Sequence, residues 1–229
     1  MRLVKSSFTT EAIYSRSIME ALERAGRVCY KSEEKIAIGT ADALIAKLIK
    51  SGHHSVLEHE KITATAIMPR GISHELVRHR IASYSQESTR YCDYASGHIA
   101  YVIPLWYENI PTGYWEDMAE LCEWAVANEV NFTDDEGLWL QGRIFNEVEY
   151  KGHRKNGRTA QEARGCLPID LKTEVVFTFN LRQWRHFFCL RALGTTGKPH
   201  PQMQALATAM LEHFAKKLPI IFGDLAQKI

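Results

Sequence analysis

Two stretches of strict alternation constrain this chain more than anything else in it. From Lys61 to Met68, Ile62, Ala64, Ala66 and Met68 fall on one side and Thr63 and Thr65 on the other. From Thr173 to Phe179, Val175, Phe177 and Phe179 oppose Glu174, Val176 and Thr178. Side chains alternate across a strand with a period of two, so each stretch is expected to be a half-buried strand. Each also hands the chain to a helix. Pro69-Arg70-Gly71 turns it, and Ser73 is expected to cap a short helix through Val77 toward Arg80. On that helix Arg78 and Arg80 would point about 200° apart, because each residue advances ~100°. After the second strand, Asn180-Leu181-Arg182 begins a helix that Phe187, Phe188 and Leu190 anchor to the core.

Other elements follow from the same signals. Leu3 to Phe8 reads as a short strand, followed by a helix that Thr10 caps and that ends near Gly26. Its apolar stripe is Ile13, Ile18, Ala21, Leu22 and Ala25. Thr40 caps a second helix with Leu44, Ile45, Leu48 and Ile49 on one face, and Ser51-Gly52 stops it where a left-handed residue is needed. Ala100 to Pro104 is a candidate strand, and Tyr114 to Val130 and Asp134 to Tyr150 read as helices. Thr133 and Glu136 form a capping box for the latter. Trp115, Trp124 and Trp139 read as core, Lys151 to Arg158 as a basic solvated loop, and Ala207, Met210, Leu211 and Phe214 as the packing face of a tail helix.

The chemistry concentrates between Arg78 and Tyr91. Those fourteen residues hold three arginines, a histidine, three serines and a threonine, in a chain whose formal net charge is +1. Guanidinium forks bind phosphates and carboxylates in a bidentate way, and hydroxyls with backbone N–H groups complete an anion cradle. Upstream, Gly52-His53-His54-Ser55-Val56-Leu57-Glu58-His59 gathers three histidines and a glutamate. This segment is open to three readings: a ligand-contacting loop, a metal site, or a polar loop with one structural histidine.

Composition excludes several classes. With 28 Lys and Arg against 27 Asp and Glu, a dedicated nucleic-acid binder is not expected. No apolar run approaches the ~20 residues of a membrane span, and Met1-Arg2-Leu3-Val4-Lys5 lacks the apolar core of a signal peptide, so a soluble cytoplasmic protein is expected. Cys29, Cys92, Cys122, Cys166 and Cys189 show neither a disulfide framework nor metal-ligand spacing. No glycine-rich dinucleotide or phosphate loop is present. At 229 residues with 45% hydrophobic content, one elaborated domain over residues 1–229 is the expectation.

Three separated motifs carry a family resemblance. They are Arg78-His79-Arg80 with Ser88-x-Arg90-Tyr91, then Ala163-Arg164-Gly165-Cys166-Leu167-Pro168, and Asn180-Leu181-Arg182 continuing through His186 to Arg191. Together with Gly52-His53-x-Ser55-x-x-Glu58-His59 they resemble the flavin-dependent thymidylate synthases. Agreement is close over about 50–95 and 160–205 and general elsewhere. Glu75 stands where that family more often has Gln, Ser85-Gln86 replaces its commoner Asn-Glu, and Glu-Ile-Arg is missing after Gln202. Residues 105–160 look like a helical elaboration on the family core.

The resemblance implies an α/β (α+β) fold, a mainly antiparallel sheet flanked by helices, assembling as a homotetramer. It implies methylation of dUMP to dTMP with methylenetetrahydrofolate as carbon donor, NADPH as reductant and FAD as hydride carrier. Carried over residue by residue, Ser55, Glu58, Arg78, His79, Arg80, Asn180, Arg182 and His186 would hold FAD. Glu75, Arg78, Gln86, Ser88, Thr89, Arg90, Arg164 and Arg191 would hold dUMP, and Arg191, Ser88 and His53 would lie at the reacting centre. The chain lacks the Pro-Cys-His element with which ordinary thymidylate synthases attack carbon 6. Two other readings stand beside this one: a non-enzymatic nucleotide or RNA-binding module using the same arginines, and a histidine-rich metal hydrolase.

Overall fold

The computed structural model describes residues 1–229. In chain order the elements are β1 (Arg2–Val4), β2 (Ser7–Thr10), α1 (Ser15–Val28), α2 (Thr40–Lys50), β3 (Lys61–Pro69), α3 (Arg70–Leu76), β4 (Ser83–Gln86), β5 (Ala100–Val102), β6 (Gly113–Tyr114), α4 (Met118–Ala127), α5 (Asp134–Lys155), α6 (Ala160–Ala163), β7 (Lys172–Asn180), α7 (Leu181–Arg191), α8 (Pro201–Lys217) and α9 (Pro219–Ala226). The architecture is mixed α/β. Two compact units share the chain: Met1–Ser7, Ala66–His74 and Gln86–Val175 form the first, and Phe8–Thr65, Glu75–Ser85 and Val176–Ile229 the second. No helix is long and apolar enough to cross a membrane.

In the first unit a three-stranded sheet has the order β5-β1-β6. β1 pairs parallel with β5 and antiparallel with β6, so this sheet is mixed rather than antiparallel. Leu3, Tyr101, Trp115, Leu121, Leu140, Tyr150 and Leu171 pack together in its core, with Trp124 and Trp139 partly buried against them. The tryptophans are core side chains, as expected. α5 starts at the expected capping box: Thr133 Oγ1 accepts from the Glu136 N–H at 3.3 Å, and Glu136 Oε2 accepts from the Thr133 N–H at 2.8 Å. The helix runs past Tyr150 to Lys155, so most of the expected basic loop is helical. Glu147 explains part of this, because Lys151 one turn on donates to it at 2.7 Å. The helix expected from Tyr114 begins at Met118 instead, where Asp117 accepts from the Glu120 N–H at 3.0 Å.

The second sheet has the order β2-β3-β7-β4. β3 buries Ile62, Ala64, Ala66 and Met68, and β7 buries Thr173, Val175, Phe177 and Phe179, as the alternation requires. The second unit's core is aromatic: Trp184 lies 4.8 Å from Phe179 and 4.7 Å from Phe214 between ring centroids, and Trp184 Nε1 donates to the Ile62 carbonyl at 3.0 Å. Burying a side chain of this kind contributes about 2–3 kcal/mol, and each good ring pair roughly 1 kcal/mol more.

The expected strand from Leu3 to Phe8 is two strands, one in each sheet. The first helix begins at Ser15 without a side-chain cap, and Gly26 lies inside it rather than ending it. A Cβ on Gly26 would stand 3.2 Å from Leu48 Cδ1, so the missing side chain lets α1 and α2 approach. Ser73 is likewise inside α3 and not its cap. β3 runs straight into that helix, whose first N–H groups, from Arg70 and Gly71, are taken by the Leu171 and Ile169 carbonyls at 2.8 and 2.9 Å.

Candidate active site

In the second unit α3 ends at Leu76; Val77 and Arg78 form a turn, and His79 and Arg80 follow outside any regular element. The 100° step therefore does not apply to Arg78 and Arg80. Both are exposed, and His79 between them is 4% exposed. Tyr84 of β4 holds the turn: its hydroxyl lies 2.8 Å from the Leu76 carbonyl and 2.7 Å from the His79 carbonyl, donating its one proton to the pair. Burial pushes the Tyr84 pKa up, so the donor keeps its proton.

The His79 ring is packed by Phe187, His186 and Phe179 at centroid distances of 5.1, 5.9 and 6.1 Å. Burial, with the positive charge of Arg191 and the neighbouring His186 adding to it, lowers its pKa from 6.5 to about 4. The ring is therefore neutral at pH 7. Arg191, at the last position of α7, points its Nε at His79 Nε2 at 3.3 Å, its Nη1 at Glu75 Oε2 at 2.7 Å and its Nη2 at the Glu75 carbonyl at 3.4 Å. A guanidinium has five N–H donors, so these contacts leave two for a ligand.

The remaining second-unit residues surround the start of α7 and the segment after α2. Asn180 is the N-cap, its Oδ1 accepting from the Gln183 N–H at 2.8 Å. Arg182 Nη1 meets Glu58 Oε1 at 2.5 Å with both side chains about half exposed, a pair of the kind that contributes roughly 0–1 kcal/mol. His54 to His59 form a 3-10 helix anchored by buried Val56 and Leu57, with His53 before it and Ser55 on it both exposed. No three His, Cys, Asp or Glu side chains come together to hold a metal ion.

The first unit holds a separate constellation. Thr89 is buried, and its hydroxyl accepts from Arg164 Nη1 at 3.2 Å. The two residues line a cavity of about 250 Å³ with Arg70, Gly165, Leu167, Pro168 and Leu171. Ser88 Oγ accepts from the Arg90 N–H at 3.3 Å, and Arg90 Nε donates to Gln161 Oε1 at 3.0 Å. Glu87 fastens the segment, accepting from Tyr94 and Lys172, each at 2.8 Å. Gln86 faces inward, its amide nitrogen donating to the Ser73 hydroxyl at 2.8 Å and the Thr173 hydroxyl at 3.1 Å.

The expected site residues thus gather as two sets. Glu75, His79, His186 and Arg191 meet in the second unit with Arg78 and Arg80 exposed beside His79, and Ser88, Thr89, Arg90 and Arg164 meet in the first. Three participants escaped the sequence reading. Arg70 looks like part of a turn until its cavity is seen. Tyr84 carries no local mark of its two carbonyl partners. Gln183, whose amide lies 3.1 Å from His79 Nδ1, finds its partner 104 positions away.

The sequence profile of the thymidylate synthase complementing protein family matches residues 14–220. A flavin-dependent thymidylate synthase of Corynebacterium diphtheriae is 36% identical over 212 residues, covering 90% of this chain and 78% of the relative. Among solved structures, a UMP/dUMP methylase, PolB, of Streptomyces cacaoi bound with 5-bromo-dUMP superposes with a TM-score of 0.72 at 24% identity, covering 97% of this chain and 96% of the other. Thymidylate synthase X of Helicobacter pylori with FAD and dUMP gives 0.71 at 22% identity, covering 96% and 99%. At these identities the two structures speak for the fold.

Proposed function

The chain belongs to the thymidylate synthase complementing protein family, and from that premise we propose that it is a flavin-dependent thymidylate synthase. It methylates carbon 5 of dUMP to give dTMP, with methylenetetrahydrofolate as carbon donor and NADPH as reductant. The relative of this chain and the solved structures of like fold are named for flavin dependence, dUMP methylation and binding of FAD and dUMP, which supports the reading. The observation that carries it to this chain is Arg191, a guanidinium oriented by Glu75 and His79 with two donors unspent.

The residues present fit FAD. Arg78 and Arg80 are exposed with no ion pair or hydrogen bond of their own, two guanidinium forks of the kind a pyrophosphate needs in a chain without a glycine-rich turn. We assign them, with Ser55, Glu58, His79, Asn180, Arg182 and His186, to holding the cofactor. When bound, FAD supplies hydride transfer to the one-carbon unit. Ser88, Thr89, Arg90 and Arg164 suit the nucleotide phosphate, with Glu75, Arg78 and Gln86 completing its binding. Arg191 suits the uracil carbonyl, on which negative charge would grow as the condensed nucleotide and methylene adduct takes the hydride, and a fixed guanidinium stabilises that charge without reorganising. His53 belongs beside the reacting rings as an orienting group.

No enzyme cysteine acts as nucleophile in this reading. Cys29 and Cys122 are exposed, and Cys92, Cys166 and Cys189 are half-buried. Burial raises the Cys166 pKa, which disfavours its thiolate. The protein works in the cytoplasm as a homotetramer whose active sites draw residues from more than one subunit.

The test is direct. The purified protein should be yellow and release FAD on denaturation, and it should convert dUMP to dTMP only when the folate and NADPH are supplied. A colourless protein that takes up no added FAD removes the assignment. A variant with all five cysteines replaced by Ser or Ala should still turn over. Loss of turnover traced to one folded cysteine variant would restore a covalent mechanism.

A further inference from the structure

We infer that Gln183 is a positioning residue that holds His79 in its Nδ1–H tautomer, so that Nε2 accepts from Arg191 and fixes the plane of that guanidinium. Arg191 selects the tautomer. Its Nε bears one hydrogen and no lone pair, and it faces His79 Nε2 at 3.3 Å. A proton on Nε2 would set donor against donor. Both the Nε2–H tautomer and the imidazolium are therefore excluded, and the ring carries its single proton on Nδ1.

Nδ1–H in turn needs an acceptor, and the group opposite it is the Gln183 side-chain amide, whose Nε2 stands 3.1 Å from Nδ1. An amide offers an oxygen and an NH2 in nearly the same place, and the hydrogen-bond network decides which faces where. As oriented, both ring nitrogens face donors, and because Arg191 Nε cannot be turned over while an amide can, the Gln183 amide is flipped to present Oε1 to the ring N–H. Gln183 is 7% exposed and His79 4% exposed, so both are largely closed to bulk water. An unmade bond at such a site costs more than a made one contributes.

The elements explain why these groups meet. Asn180 caps α7 through the Gln183 N–H, which sets the first turn, and Gln183 and Arg191 lie on that one helix, two turns apart. The titratable and charged groups around the ring are Arg191 and His186 of α7, Glu75 of α3 paired with Arg191, and Tyr84 of β4, whose hydroxyl binds the His79 carbonyl. Glu75 and His79 thus hold Arg191 from two sides, one by charge and one by a neutral acceptor. A neutral ring adds orientation without adding charge beside the guanidinium.

The inference rests on the proposed function for its kinetic consequence and on geometry alone for the tautomer, so two experiments separate them. Neutron diffraction from deuterated, FAD-loaded crystals at neutral pH should show a deuteron on His79 Nδ1, none on Nε2, and the Gln183 oxygen facing the ring. A deuteron on Nε2 overturns the inference whatever the enzyme does. The Gln183→Glu variant keeps an oxygen opposite Nδ1–H but adds a charge that draws a second proton onto Nε2. At pH 7 its kcat should fall by roughly 10- to 100-fold, with bound FAD and the KM for dUMP little changed. The loss should shrink as pH rises and Nε2 deprotonates. Gln183→Met should lose kcat at every pH. Wild-type profiles in both variants would overturn the role. Should a variant fail to fold, the wild-type neutron map decides alone, and a wild-type protein that makes no dTMP refutes the function but not the tautomer.

Discussion

His79 shows how far surroundings alter a residue's chemistry. The unfolded ring takes its proton near the ordinary value of 6.5 and the folded ring near 4. Between those values the unfolded chain binds more protons, so stability is complete above 6.5 and falls as pH drops toward 4. The full difference corresponds to about 3 kcal/mol. We expect the urea midpoint of the wild type to fall over this window and that of His79→Leu to fall less; parallel curves would mean that other groups control acid sensitivity. Ser88 is a second residue-scale case. A serine nucleophile needs an adjacent base, and the partner found for its Oγ is the Arg90 N–H. Ser88→Ala should raise the dUMP concentration needed for half-maximal rate while leaving measurable turnover. Inactivity with normal dUMP binding would reopen the nucleophile question. The residue types at these positions were readable along the chain. That Arg191 would be oriented by Glu75 and His79, 116 and 112 positions earlier, was not, because no local pattern records such a pairing.

At the scale of elements, the start of the His53 segment is set by the end of α2. Gly52 has φ of +75°, its N–H bonds the Ile49 carbonyl at 3.0 Å, and the His53 N–H bonds the Leu48 carbonyl at 2.9 Å. This is a Schellman stop, which wants glycine because a left-handed conformation costs other residues about 1 kcal/mol. No atom lies within 4 Å of a Cβ placed there, so Gly52→Ala should lose about that much by chemical denaturation. A neutral result would show that the stop relaxes. This signal was legible, as was the capping box at Thr133 and Glu136, since both are complete within a few residues. The end of α3 was not legible. Seven residues of helix stop at Leu76, where a hydroxyl from another strand, that of Tyr84, claims carbonyls that further helix would need.

For the whole molecule, the proposed homotetramer makes a prediction that no single chain can. If Arg78 of one subunit and Arg90 of its neighbour serve one site, Arg78→Ala and Arg90→Ala should each be nearly inactive, and unfolding and reassembling them together should restore activity in a minority of sites. Hybrid tetramers no more active than their parents would place both arginines in one chain's site. The sequence by itself determined what depends on neighbours along the chain: two half-buried strands at 61–68 and 173–179, the stop at Gly52, the cap at Thr133, and motifs rich enough in arginine to indicate an anionic ligand. Only the tertiary structure decided that the first strand breaks between two sheets, that Gly26 permits a close helix approach, and that His79 is buried between two exposed arginines. Alternation and capping report the environment one side chain meets locally. Sheet membership, close approach and a shifted pKa depend on which distant atoms arrive, and those are chosen by the packing of the whole chain.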